Sequence, residues 1–243
     1  MPFPSNTTMF KRGWNVRSED LSELIIDPGN MLSVLDNGIL AYDATAATAV
    51  LDHIGDRACL NLTNSGSTAT DVVNAQSVAT SGGWQILAGK EFLAQGSFRL
   101  GTTTQDLFIG LWAVDTNFWS TEPTDSVGLY KASAATQCTF KARKASGTAQ
   151  ATNGIGPVLA VDTWYDWAIR VIGNSATAGK AEVQVAIGAG VLAGNPIPVV
   201  YSATFETQIP DTVDMGPGYS WRAGSAANVS GYIGKTGFCL QAI

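Results

Sequence analysis

The feature that most restricts how this chain can fold is a period-two alternation of large apolar and polar side chains through its middle. In the run from Thr163 to Ile172, Tyr165, Trp167, Ile169 and Val171 fall on one side of an extended chain, and Asp166 and Arg170 fall on the other. From Asp106 to Val114, Leu107, Ile109 and Leu111 oppose Phe108, Gly110 and Trp112. Both faces are apolar there, as in a strand covered on both sides.

The same alternation recurs along the chain. Val127 to Lys131 and Thr136 to Arg143 read as a hairpin, with Cys138, Phe140 and Ala142 inward and Thr139, Lys141 and Arg143 outward. Val183, Val185 and Ile187 alternate with Glu182, Gln184 and Ala186. Further strands are expected at 38–42, 58–62, 72–78, 84–87, 91–100, 157–161, 199–205, 213–222 and 229–240. Asn-, Ser- and Gly-rich turns separate them. Roughly a dozen short strands at this spacing suit a sandwich or jelly roll. No amphipathic helix lies between them, which disfavours a βαβ architecture, and no fixed-period repeat points to a propeller or solenoid. The expected fold is all-β, an antiparallel two-sheet β-sandwich.

With 243 residues, 45% of them apolar, one large core is within reach of a single domain over 31–243. Residues 1–30 read as an extended N-terminal arm. Ser18 is an N-cap candidate followed by Glu19 and Asp20, which predicts a short helical turn over 18–24, stopped at Asp27-Pro28-Gly29-Asn30. The arm has no core of its own, yet it carries Phe10 and Trp14. These two rings are expected to dock on a neighbouring subunit, or else to fold back onto the parent sandwich. Only 14% of residues are charged, so much of the surface is neutral and small. That suits a protein partly covered by neighbours.

The net charge of −6 argues against a nucleic-acid partner, which needs a basic face. Lys141, Arg143 and Lys144, near Lys131, form the one basic cluster and read as a strand face and turn. The start of the chain lacks a signal-peptide pattern, and no run approaches the roughly 20 apolar residues that cross a bilayer. No membrane partner is expected. Cys59, Cys138 and Cys239 are widely spaced and odd in number, and His53 is the single histidine. Zinc ligands come in short-spaced sets, so buried free thiols and folding in a reducing cytoplasm are expected. His53, in the run Leu51 to Asp56, reads as a surface-loop residue; no nucleophile-elbow motif exists for it to serve. No cofactor is expected.

The order of motifs carries a resemblance. Lys90-Glu91-Phe92 and Ser97 to Leu100 precede Asp106 to Leu111, then Asp115-Thr116 and a variable loop. Val127 to Lys131 and Asp162 to Asp166 follow, and Gly216 to Ala226 precedes the closing strand. Over about residues 84–240 this pattern resembles the concanavalin A-like (laminin G-like) jelly roll of tailed-phage virion structural proteins. Glycanases on that fold use an acid-x-acid-x-x-acid run. None occurs here, with Glu91 and Glu182 each alone on its strand, so hydrolysis by a carboxylate pair is unsupported. Asp115 and Asn117 could be half of a lectin-type calcium site, though Asp-Thr-Asn is also ordinary loop chemistry.

Seven tryptophans invite a sugar-stacking reading. Trp112 and at least one of Trp164 and Trp167 read as core. Phe118 and Trp119, in the loop 115–125, are the candidate exposed contacts, for a protein as readily as for a glycan. The resemblance implies a non-enzymatic phage virion protein made in the host cytoplasm. It would be a capsid decoration or cement protein binding the major capsid protein, or other virion proteins, and its own copies. The alternative is a glycan-binding module of a tail or cell-surface protein. The candidate partner contacts are Phe10, Trp14, Phe118 and Trp119; no catalytic or metal-binding residue is assigned.

Overall fold

A computed structural model describes residues 22–26, 40–54, 57–64, 68–77, 84–113, 118–174, 176–190, 199–225 and 228–242, with 22–26, 40–45 and 241 as backbone alone. The arm residues Phe10 and Trp14, and the loop residues Asp115 and Asn117, lie outside the described residues. In chain order the elements are β1 (Ser22–Ile26), β2 (Leu40–Thr45), β3 (Ala47–Ile54), β4 (Arg57–Asn64), β5 (Val72–Ser77) and β6 (Lys90–Leu100). Then come β7 (Asp106–Ala113), β8 (Ser126–Lys131), β9 (Thr139–Arg143), β10 (Gln150–Ala151) and β11 (Trp164–Gly173). The last are β12 (Ala181–Ala189), β13 (Val199–Phe205), β14 (Met215–Arg222), β15 (Ser230–Ile233) and β16 (Thr236–Ala242).

The strands form two antiparallel sheets. A nine-stranded sheet runs β13-β12-β11-β6-β15-β4-β3, with β16 beside β6 and β1 beside β16. A seven-stranded sheet runs β10-β9-β8-β7-β14-β5-β2. The eleven residues of β6 are long enough to hold two partners end to end, β15 along Phe98–Leu100 and β16 along Lys90–Gln95. The closing run expected as one strand is therefore two. At the corner between β2 and β3 the chain passes from one sheet to the other at Ala46, whose φ is 51°.

The core lies between the sheets. Phe92, Phe98, Tyr165 and Trp167 from one side meet Leu111, Phe140, Tyr219 and Trp221 from the other, all buried. The parity read from β11 holds: Tyr165, Trp167, Ile169 and Val171 point inward. So does that of β9, where Phe140 and Ala142 are inward. Each such side chain stabilises the fold by about 1.5–3 kcal/mol relative to exposure. All three cysteines are buried, and none is in a disulfide.

Besides the strand expected at 84–87, which is only an isolated bridge from Trp84 to Met215, three sequence expectations are corrected. Ser22, Glu23 and Leu24, assigned to a helical turn, lie in β1 opposite Leu240, Cys239 and Phe238; residues 18–21 lie outside the described residues. A capped single turn is poorly stable by itself, and the open side of β16 offers a ladder instead. His53, expected in a loop, is an exposed residue of β3, opposite Ala58 of β4. The third correction is 157–161, which is not a strand. Leu159 N–H donates to Thr136 O at 2.8 Å and Ala160 N–H to the Tyr165 hydroxyl at 2.7 Å, while Pro157 has no N–H to give to a ladder.

Candidate functional site

The outer face of the seven-stranded sheet carries the predicted loop residues, and it changes their reading. Phe118 is only 5% exposed. Its ring stacks on Phe108 at 4.4 Å between centroids and meets the edge of Trp112 at 5.6 Å. Together these form a second apolar cluster, separate from the main core. Phe118 is therefore a lid on β7 rather than an exposed contact. Trp119 is half-buried, 4.9 Å from Phe118 and 6.0 Å from Tyr130, and the Arg222 guanidinium lies 5.0 Å over its ring. Beneath, Gly218, Gly110 and Gly128 stand side by side on β14, β7 and β8. A Cβ on any of them would collide with a neighbouring strand's carbonyl, of Ala75, Val127 and Ile109 respectively.

The polar groups around this cluster are already engaged. Buried Asp106 accepts from Arg222 at 2.8 Å and from the Ser133 N–H at 2.7 Å. Glu122 pairs with Lys141 at 2.9 Å, and that ammonium also sits 4.8 Å over the Tyr130 ring. Burial, reinforced by Asp106, pushes the Tyr130 phenol up from its ordinary value. Asn74 and Ser220 bond to each other in the next row. Each of these carboxylates has a cation beside it, so the arrangement holds the loop against the sheet rather than presenting an acid and a base.

The basic cluster is structural too. Arg143 donates to the carbonyls of Glu122, Pro123, Ser146 and Gly147, tying two loops together. Lys144 pairs with Asp211. Lys131, expected near the surface, is buried, donating to the carbonyls of Thr103 and Gln105. Asp211, the partner of Lys144, borders an open cleft of about 340 Å³ together with Leu87, Asn174, Thr177 and Lys180.

The outer face of the nine-stranded sheet holds a row that no local sequence signal revealed. Trp164, Arg99, Tyr232, Asn61 and Val50 are successive cross-strand partners on β11, β6, β15, β4 and β3. Arg99 lies 4.9 Å over Tyr232 and pairs with Asp162 at 2.7 Å. Arg57 lies 5.3 Å over Trp164 and grips both oxygens of Asp166, at 2.7 and 3.1 Å. Trp164 and Tyr232, both half-buried, are 6.5 Å apart. Glu91 and Glu182 share another row, one on each side of Ile172. Glu91 is buried against Arg170, so the two do not stand as an open carboxylate pair.

The row ends in exposed apolar side chains. Val50 is 59% exposed and Leu51 41%, on the edge strand β3. At the opposite edge, Val199 and Val200 of β13 are 42% and 38% exposed.

No protein-family model matches the sequence, and no curated protein matches it. The structure is similar to solved ones. A protein of unknown function from Shewanella oneidensis MR-1 has a TM-score of 0.57 at 16% identity, covering 93% of this chain and 88% of that one. Peanut lectin gives 0.56 at 11% identity, covering 93% of this chain and 99% of its own. The fold is the lectin-like jelly roll. It is shared with chemistry as well: the alginate lyase from Aplysia kurodai gives 0.57 at 10% identity, covering 93% of this chain and 100% of its own. At these identities the likeness is one of fold.

Proposed function

We propose that this chain is a non-enzymatic phage virion protein that decorates or cements the capsid, binding the head surface and its own copies after synthesis in the host cytoplasm. The observation that carries the reading is where apolar surface is left open. Both broad faces of the sandwich are occupied by the chain's own ion pairs, cation–π contacts and the Phe118 lid. Val50, Leu51, Val199 and Val200 stand exposed on two edge strands of one sheet, and Leu87, Val158 and Val161 stand exposed in connecting segments. Exposed apolar groups spread over edges and connections suit contacts with other proteins better than a concave ligand site. In this reading Phe10 and Trp14 anchor the arm on a partner surface, while Phe118 is no contact at all. Purified protein is expected to co-sediment with heads and to be found in virions by mass spectrometry. Failure of both overturns the reading.

A glycan-binding role is the second reading, favoured by the half-buried pair Trp164 and Tyr232, set among Arg57, Arg99 and Asp166. Sugars stack on aromatic faces flanked by polar groups. A glycan array with and without calcium decides it: binding lost on Trp164→Ala supports it, and background signal in both conditions removes it.

A further inference from the structure

We infer that Asn153 is a self-modifying site, where the folded chain slowly closes a succinimide ring with Gly154 and opens it to aspartate and isoaspartate. The Gly154 backbone nitrogen gives up its proton and attacks the side-chain carbonyl carbon of Asn153. A C–N bond forms there, the bond from that carbon to the amide NH2 breaks, and ammonia leaves with the proton. Water then adds to one of the two ring carbonyls. Opening at the side-chain carbon restores the ordinary backbone with Asp at 153. Opening at the main-chain carbon leaves the backbone running through the former side chain, one methylene longer. One water is taken up and one ammonia released, and no other reactant enters.

The fold singles out this asparagine. Ring closure is easiest where the next residue has no side chain beside the attacking nitrogen. Among the described asparagines Asn153 alone is followed by glycine; Asn37-Gly38 lies outside the described residues. The other side-chain amides are committed or hindered. Asn64 accepts from the Val229 N–H, Asn174 accepts from the Ala176 and Thr177 N–H groups, and Asn61 donates to Asp52. Asn228 precedes the branched Val229. Asn153 and Gly154 are both exposed, and among the described residues neither the Asn153 side chain nor the Gly154 N–H makes a hydrogen bond. Their neighbours are anchored: Thr152 N–H donates to Phe140 O at 3.0 Å, and Ile155 N–H to Cys138 O at 2.7 Å. The chain thus leaves the ladder for those two residues only, and the attacking nitrogen is held by no acceptor. Packing also favours glycine at 154. A Cβ there would meet the Gln137 side chain, which is itself held by a 2.6 Å bond to Gly156 O. The consequence reaches the core, because Ile155 and its bridge partner Cys138 are both buried in it. An isoaspartate inserts its methylene between the anchors at Thr152 and Ile155, so that bridge must shift. None of this depends on the capsid reading.

Incubation of the full chain for days at mildly alkaline pH, followed by peptide mapping and isoaspartate methyltransferase labelling, tests it. Aspartate and isoaspartate are expected to accumulate at position 153 in the folded chain, at a rate close to that of the urea-unfolded chain. Asn153→Gln is expected to remove the label from that peptide, since its longer side chain would have to close a six-membered ring. The position is exposed, and a thermal melt of the variant reports its folding independently. A folded chain that converts at Asn153 many-fold more slowly than the unfolded one overturns the proposal, because the fold would then be protecting the segment. So does conversion at another described asparagine ahead of Asn153, or a label that survives Asn153→Gln in that peptide. The isoaspartyl form, separated from the rest, is expected to melt below Asn153→Asp, which adds the same charge without the methylene. Equal melting of the two would overturn the link to the Cys138–Ile155 bridge.

Discussion

At the residue scale, Lys131 and Cys138 make opposing demands on pH. Burial depresses the Lys131 ammonium from its ordinary 10.5 to about 8, although Asp106 pulls the other way. Between about 8 and 10.5 the unfolded chain holds a proton there that the folded chain has released, so this group makes stability rise with pH. Burial pushes the Cys138 thiol from 9.0 up to about 12, and the folded chain keeps a proton that the unfolded chain loses. Its contribution falls from about pH 9 to 12, and Cys59, raised by burial too, adds to that fall. Melting temperature against pH is expected to climb from 8 to 9 and turn over above it. Cys138→Ala should shallow the descent, and an unchanged descent would mean the thiol is not the source. Phe118 makes the second prediction at this scale. As a buried lid on Phe108 and Trp112, its replacement by Ala is expected to cost about 3 kcal/mol. For a chain of this length that is roughly 6–12 °C in Tm. A loss within a degree would return Phe118 to the surface role read from the sequence. The burial of Lys131 was missed because its charge was weighed above its position, which shares parity with Val127 and Leu129, both buried. The burial of Phe118 was not legible, because its cover comes from a strand that the sequence cannot place beneath the loop.

Among the elements, the strands that alternate strongly were readable and the weak alternators were not. β11 and β9 announce their inward faces because large apolar side chains sit at every second position. β3 reads ATAVLDHI, small or apolar on both faces as far as Leu51 and polar at Asp52 and His53, and it is half-exposed along its length, so the alternation is lost. β1 was misread because a local capping signal was weighed without the long-range ladder along β16. Pairing also gives the glycines of the seven-stranded sheet their meaning, since Gly110 lies between Gly218 and Gly128 only in the folded register. Gly110→Ala drives its Cβ into the Val127 carbonyl, so strands β7 and β8 must separate. A loss of about 3 kcal/mol or more is expected, near the upper end for overpacking. Gly89→Ala is the contrast. Nothing lies within 4 Å of a Cβ there, and only its φ of +72° is strained, at about 1–2 kcal/mol. Urea midpoints of the two variants check the order, and equal losses would mean that backbone approach does not set the cost at Gly110.

For the whole molecule, the ladders that bind the sheets together join segments far apart in the chain, and β6 waits for the very end of it. Its neighbours on one side are β15 and β16, and β16 also carries β1. The core contacts follow the same map: Phe238 of β16 stacks on Phe92 of β6 with centroids 6.4 Å apart, and Ile233 of β15 is buried in the same core. A chain cut after residue 229 would leave one flank of β6 open, with Phe92 and Phe98 short of their covering side chains. Exposed strand edges beside apolar surface favour aggregation over folding. Removing residues 1–17 takes away no described strand, since the first begins at Ser22. The two truncations should therefore part company. The chain ending at 229 is expected to be insoluble or to melt without cooperativity. The chain starting at 18 is expected to melt within a few degrees of the full protein while losing capsid binding. A soluble, cooperatively folding C-terminal truncation would show that β6 stands without its late partners. If the N-terminal truncation melts many degrees lower, Phe10 and Trp14 pack on their own sandwich, and the arm is no docking device.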